Sequence, residues 1–302
     1  MGVDRKLCLL VANNVIIEFQ DNFCELLIRM SIFTDNGITW EWHSVGGRGT
    51  SGQGSIGESS KDKWLIDGGI IPQGNTDWCK VGTIFLTHFH HDHTRRICDI
   101  LTERKHSGCE DPVTFYVPKG QSSILHNFLS SYYALVGAKS PHTVVDVHDD
   151  LEVYLGLNRE YRVLPFQTYH GDTPSTGWRF QRFDLSTDRW MDVAAVTGDT
   201  EASVFADPEN EFLLRTPLLF VEMTYLHAGV SSYEAQIKGH VHIRDLSEVE
   251  FQNNTIVGYH FSPRYSQSQI QEYVQSWKRG WEEHWKRSFP VLQTISHLHS
   301  PV

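Results

Sequence analysis

At 302 residues, the chain is long enough for one large α/β domain or two smaller ones. Its 40% hydrophobic and 12% aromatic content supports a sizeable core and excludes a disordered chain. A formal charge of −11 argues against nonspecific affinity for a polyanion, while leaving room for a local basic patch.

The first segment, "MGVDRKLCLLVANN", holds an apolar stretch from Leu7 to Ala12 that is too short for the core of a secretory signal. Lys6 stands where a myristoylation pattern needs Ser or Thr. No apolar run reaches the roughly 18 residues of a membrane span. The five cysteines, Cys8, Cys24, Cys79, Cys98 and Cys109, are odd in number, scattered and free of any CxxC. That usage fits buried thiols in a reducing compartment, so the expected protein is soluble, intracellular and cytoplasmic.

In chain order, strands are expected at Val15–Phe19, Leu26–Ser31, Lys63–Ile66, Thr83–Leu86, Thr114–Val117, Tyr161–Thr168, Asp192–Val196, Leu218–Thr224 and Thr255–Tyr259. Helices are expected at Thr94–Arg104, Gln121–Val136 and Gln267–Trp285. The last carries Ile270, Tyr273, Val274, Trp277, Trp281 and Trp285 at helical spacing behind Ser266 as N-cap, which reads as a helix docked on the core. The Gly/Ser-rich stretch 46–60, "GGRGTSGQGSIGESS", reads as a mobile loop and contains no phosphate-cradling GxxxxGK[ST]. Alternating strands and helices, with no repeat and no long linker, point to a layered α/β architecture in a single domain over 1–302.

The stretch "LTHFHHDH" places four histidines and an aspartate directly after an apolar strand. Such imidazoles repel one another when protonated; a bound cation removes that repulsion by holding each ligand deprotonated. His88 and His90 are two apart and share a side in extended chain, and Asp92 and His93 follow where the chain turns into a helix. One metal needs three or four such ligands, so the stretch nearly supplies one site and hints at a second. Three later segments end strand-like runs on a potential ligand: "FQTYH" on His170, "AAVTGD" on Asp199 and "VGYH" on His260. Open α/β sheets gather their sites at the carboxyl ends of strands, where these four tips would meet.

This pattern resembles the metallo-β-lactamase superfamily, and within it the tRNase Z-like (ribonuclease Z) phosphodiesterases. HxHxDH with His170, Asp199 and His260 is the superfamily mark. "KWLIDGG" with Asp67, "YHGDTPSTGWRF", "FVEMTYL", "KGHVH" and above all "YHFSPRY" carry the closer resemblance, which runs from about residue 45 to 266. The resemblance implies an αββα sandwich of two mixed β-sheets flanked by helices. It implies one metal on His88, His90 and His170, a second on Asp92, His93 and His260, and Asp199 bridging them. His240, oriented by Glu222, becomes the candidate acid, Asp92 steers the attacking hydroxide held between the ions, and Arg264 with Ser262 is a weaker candidate for binding phosphate.

The donor set is rich in histidine and free of thiolate, which suits zinc; manganese and iron also accept it. The implied reaction is hydrolysis of a phosphodiester, in an RNA 3′ end or a small or cyclic nucleotide, and a homodimer is a further implication. The alternatives are a glyoxalase-like thioester hydrolase of the same fold, or a silent scaffold for RNA or protein. A zinc β-lactamase is disfavoured, because Asp199 rather than Cys fills the bridging place. Two departures bear on substrate. Val221 and "HVH" (240–242) replace residues usual in the family, and the stretch between His170 and Asp199 is too short for the arm that grips tRNA.

Overall fold

The computed structural model describes residues 38–45, 52–58, 62–70 and 76–294 apart from 138, 157 and 228, together with the backbone of three N-terminal strands. A nine-stranded sheet runs in chain order through β1 (Cys8–Ala12), β2 (Val15–Phe19), β3 (Ile28–Phe33), β4 (Thr39–Val45), β5 (Gly52–Glu58), β6 (Lys63–Ile66), β7 (Val81–Phe85), β8 (Val113–Val117) and β9 (His142–Asp146). It is an antiparallel meander as far as β6 and parallel from β6 to β9. Parallel neighbours need crossovers, and here α1 (His91–Thr94), α2 (Ile97–His106) and α3 (Ser122–Val136) lie within them.

The second sheet has seven strands: β10 (Val153–Leu155), β11 (Tyr161–Gln167), β12 (Thr176–Asp184), β13 (Arg189–Val196), β14 (Leu218–Glu222), β15 (Thr255–Tyr259) and β16 (Val291–Thr294). It too is mixed, antiparallel to β13 and parallel beyond. α4 (Ser232–Ile237) and α5 (Gln267–Trp285) belong to this half.

The two sheets pack face to face. Trp40 and Phe85 of the first meet Phe180 and Trp178 of the second with ring centroids 4.9 and 4.8 Å apart. Their outer faces are covered in turn. Leu65, Ile84 and Phe115 pack under Ile97, Ile100, Leu125 and Leu129 of α2 and α3. Leu219, Val221 and Ile256 pack under Ile270, Val274, Trp277 and Trp281 of α5. Four layers result, helix–sheet–sheet–helix, as the resemblance implies. The tryptophans of α5 therefore serve the core, and Ser266 closes a capping box with Gln269 at the helix start.

Three expectations change. The 46–60 stretch is not all loop. Gly52–Glu58 forms β5, paired to β4 on one side and β6 on the other, so ladder hydrogen bonds on both edges outweigh the weak strand propensity of glycine; the rest of that stretch lies outside the described residues. The helix expected from Thr94 begins at His91 and breaks at Arg95 and Arg96. There Gly68 threads in, its N–H bonding His93 O at 2.6 Å and its carbonyl taking the Arg96 N–H at 2.8 Å.

The cysteines are not all free thiols either. Cys79 and Cys109 form a disulfide, because the segment after α2 folds back beside the turn that precedes β7, while Cys98 is free. The thiol argument for a reducing compartment falls with it. Among the described residues no helix is long and apolar enough to cross a membrane.

Candidate metal centre

Five strand tips point at one place. β7 leads into His88 and His90, β11 into His170, β13 into Asp199, β14 ends at Glu222 and β15 leads into His260; α1 supplies Asp92 and His93. The turns are built for this approach. Gly198, just before Asp199, has φ +65, and a Cβ there would stand 2.7 Å from Thr87 Cβ. His260 itself sits at φ 59, an uncommon conformation for a non-glycine residue that is typical of functional positions.

The imidazoles are tied from behind. Thr87 Oγ1 donates to Asp67 and lies 3.1 Å from His88 Nδ1. Asp67 also holds His93 Nδ1 at 2.7 Å. His170 Nδ1 donates to the Gly239 carbonyl at 2.6 Å, and His260 Nδ1 meets Thr224 Oγ1 at 2.9 Å. In each case the bond places the proton on Nδ1 and leaves the Nε2 lone pair facing inward, the arrangement a metal-binding imidazole needs.

The inward atoms gather closely. His260 Nε2 is 3.2 Å from Asp199 Oδ2 and 3.3 Å from Asp92 Oδ2. His93 Nε2 is 3.5 Å from Asp199 Oδ1, and His88 Nε2 and His170 Nε2 are 3.8 and 4.0 Å from Asp199 Oδ2. Donors about 2.0–2.1 Å from one tetrahedral ion stand roughly 3.4 Å apart, so these gaps suit a shared cation. The donor atoms fall into one group of His88, His90, His170 and Asp199 and another of Asp92, His93 and His260, with Asp199 also close to His240 and His260. His91 is exposed and stands outside them.

The test of fit lies in three buried atoms. His88 Nε2, His93 Nε2 and Asp199 Oδ1 have no hydrogen-bond partner, at the centre of the cluster. Stranded polar atoms cost about 1–3 kcal/mol each, and divalent cations held by the two donor groups would satisfy all three. Burial, followed by the positive field of His93, pushes the His88 imidazole well below its ordinary pKa; burial and His170 lower His90. Neutral imidazole is the form that binds metal. Burial opposes charge on Asp199 and Asp92 as well. Even so, His260 and His93 hold the first carboxyl well below the usual carboxylate range, and the hydrogen bond with His260 does the same for the second. The cluster suits divalent metal.

No protein-family model matches the chain. It is 23% identical to tRNase Z TRZ1 of Arabidopsis thaliana over 214 residues, 63% of this chain and 75% of that protein. It is 25% identical to the ribonuclease Z of Pyrococcus horikoshii over 237 residues, covering 64% and 73% of the two chains. In three dimensions it matches the metallo-β-lactamase fold protein YhfI of Bacillus subtilis with a TM-score of 0.58 at 13% identity, over 83% of this chain and 93% of that one. The chain is a hydrolase of the metallo-β-lactamase fold.

Beside the cluster, the hydrolase holds the pair anticipated for proton transfer. Glu222 is fully buried, and its Oε1 lies 3.0 Å from His240 Nδ1. The same oxygen accepts the Val241 N–H at 2.9 Å. Burial would lower the pKa of His240, but the Glu222 carboxylate outweighs it, with help from Asp199, and raises it to about 9.

His242 is not a surface residue. It is buried, bonded through Nε2 to the His227 carbonyl and through Nδ1 to the Arg244 N–H, and fully occupied by the loop it braces. Ser262 is also buried, and its hydroxyl accepts from Arg264 Nε at 2.9 Å, while the Arg264 side chain is exposed. On the other side of His170 lies a cavity of about 280 Å³ lined by Lys119, Tyr169, Asp172 and Thr173 among others, near the lower end of small-ligand sites.

Sequence reasoning missed the supports. Thr87 and Thr224 each join a carboxylate to a ligand histidine, and Gly239 offers its carbonyl only because φ +69 lets its backbone lie against Gly171 and His170. The available signal was a threonine at a buried strand end next to a ligand or an acid, as in "LTH" and "EMT".

Proposed function

We propose that this hydrolase is a metal-dependent phosphodiesterase of the ribonuclease Z type. The donor chemistry favours two zinc ions, one on His88, His90 and His170 and one on Asp92, His93 and His260, with Asp199 between them. Bound there, the ions would supply positive charge against the phosphoryl oxygens and acidify water for in-line attack.

The chain's own residues do the rest. Asp92, a quarter exposed, accepts a hydrogen bond from the incoming water and sets its direction. His240 keeps its Nδ1 proton on Glu222 and presents Nε2–H to the departing oxygen, so the leaving alkoxide departs as an alcohol. Glu222 holds the ring in place and favours its charged form. Thr224 donates to Glu222 Oε2 at 2.7 Å and so couples that acid to His260.

The stretch between His170 and Asp199 folds as the β12–β13 hairpin, with no extended arm. That supports a short RNA end or a small nucleotide over a whole folded tRNA as substrate. The carrying observation is the trio of stranded buried atoms, His88 Nε2, His93 Nε2 and Asp199 Oδ1, at one centre.

The test combines metal analysis with turnover. Purified protein is expected to hold two equivalents of divalent metal and to hydrolyse bis-p-nitrophenyl phosphate. Chelation or Asp199→Ala should remove that activity. Turnover of a thioester with none of the diester would move the chain to the other branch of the fold, and a metal-free protein inert on both would make it a scaffold.

A further inference from the structure

We propose that Lys238 and Arg264, braced against the ring of Tyr225, form a subsite for a second phosphate, the one next to the phosphate being hydrolysed in a single-stranded nucleotide chain. The inference rests on the phosphodiesterase reading and narrows its substrate to one bearing a flanking phosphate.

Tyr225 lies one step from the chemistry, its ring centroid 6.0 Å from that of His240. Two cations rest against it. Lys238 Nζ is 5.6 Å and Arg264 Cζ 5.4 Å from the ring centre, within the range of cation–π attraction. Both side chains are exposed, whereas the tyrosine is buried, so the ring serves as a rest that fixes where the charges sit. Neither cation is paired with a carboxylate among the described residues. In a chain of net charge −11, two unneutralised cations converging beside the candidate acid form a local field of the sign a polyanion requires.

Their backbones are fixed by the site itself. Lys238 precedes Gly239, whose carbonyl holds His170, and His240, whose N–H bonds Ala235 O at 2.9 Å. Arg264 is oriented by its bond to Ser262, whose own N–H bonds the Thr224 carbonyl at 3.1 Å. Both cations therefore hang from the loops that carry His240 and His260, the first also bracing His170 through Gly239 and the second tied to Thr224. A guanidinium fork and a point ammonium are the usual pair for phosphate oxygens. A diester with a single phosphorus offers these cations no second phosphate to bind.

The experiment uses the metal-loaded chain and two substrates, bis-p-nitrophenyl phosphate with its single phosphate and a fluorescent single-stranded oligonucleotide. In the Lys238→Met, Arg264→Met double variant, KM for the oligonucleotide should rise roughly tenfold or more with kcat within about twofold. The slope of log kcat/KM against log salt should flatten by about 0.7 for the one lost phosphate contact. Turnover of bis-p-nitrophenyl phosphate should fall far less than that of the oligonucleotide, and be unchanged in Lys238→Met alone, while Lys238→Arg should retain oligonucleotide KM.

An unchanged oligonucleotide KM, or equal losses on both substrates, overturns the subsite. Should the parent protein hydrolyse neither substrate, the phosphodiesterase reading fails. Fluorescence anisotropy of the same oligonucleotide then still decides the subsite: salt-sensitive binding lost in the double variant upholds it, and absent or unaltered binding overturns it.

Discussion

Thr224 shows how much one hydroxyl organises. Its single proton goes to Glu222 Oε2 at 2.7 Å, and its lone pairs face His260 Nδ1 at 2.9 Å and His240 Nδ1 at 3.3 Å. Thr224→Val keeps the shape and deletes all of this. Such outer partners typically matter 10–100-fold in metal affinity or activity, so a loss of about that size in kcat is expected, together with weaker retention against a competing chelator and recovery in Thr224→Ser. Glu222 acts on His240 in a way that pH reveals. The pKa of His240 in the folded chain, about 9, lies above the ordinary 6.5. Its contribution to stability is therefore complete below about 6.5 and is lost as pH rises through about 9. The proton proposed for the leaving group is lost over the same upper limb. In Glu222→Gln the carboxylate is gone, and the alkaline limb of kcat/KM should move down by roughly 1–3 pH units. A pH profile with an unmoved limb would show that another group is the acid.

Elements were legible wherever local pattern and tertiary role agree. Val15–Phe19, Lys63–Ile66 and Thr255–Tyr259 are strands within the bounds expected, and Gln267–Trp285 is one helix from its cap to its last tryptophan. They were not legible where the fold overrides propensity. Gly52–Glu58 is a strand only because β4 and β6 flank it. The candidate ligands could be read ahead because each one ends a strand or a motif. Tyr225, Lys238 and the Gly239 carbonyl could not, since only folding brings residues 225 and 238–239 beside His170 and His240. The same holds for Cys79 and Cys109, whose pairing depends on how α2 returns to β7. The β13 tip gives a direct test of element geometry. Gly198→Ala forces a side chain into φ +65 and against Thr87, the residue that anchors both Asp67 and His88. Thermal unfolding should show a loss of roughly 1–3 kcal/mol, with metal affinity reduced in step because Thr87 must move. A stability loss with metal affinity intact would separate the turn from the site.

At the scale of the whole molecule, the centre sits where both sheets end, so occupancy of the site and stability of the fold are coupled. One sheet contributes His88 and His90, the other contributes His170, Asp199 and His260, and α1 adds Asp92 and His93. Removing the cation leaves stranded polar atoms at the junction and restores repulsion among rings such as His88 and His93, whose centroids are 4.1 Å apart. A ligand held at 1,000 times its dissociation constant adds about 4 kcal/mol to stability. For a chain of this size, each kcal/mol moves the melting point by roughly 2–4 °C. Chelation is therefore expected to lower Tm by about 10 °C, and added zinc to restore it. The loss should deepen on acidification, because protons compete with metal for the same nitrogens. Asp199→Ala supplies the control: lacking the carboxylate between the two donor groups, it should melt lower at the outset and respond little to chelator or zinc. Equal melting points for the parent protein with and without chelator would mean that the two sheets meet without needing an ion between them.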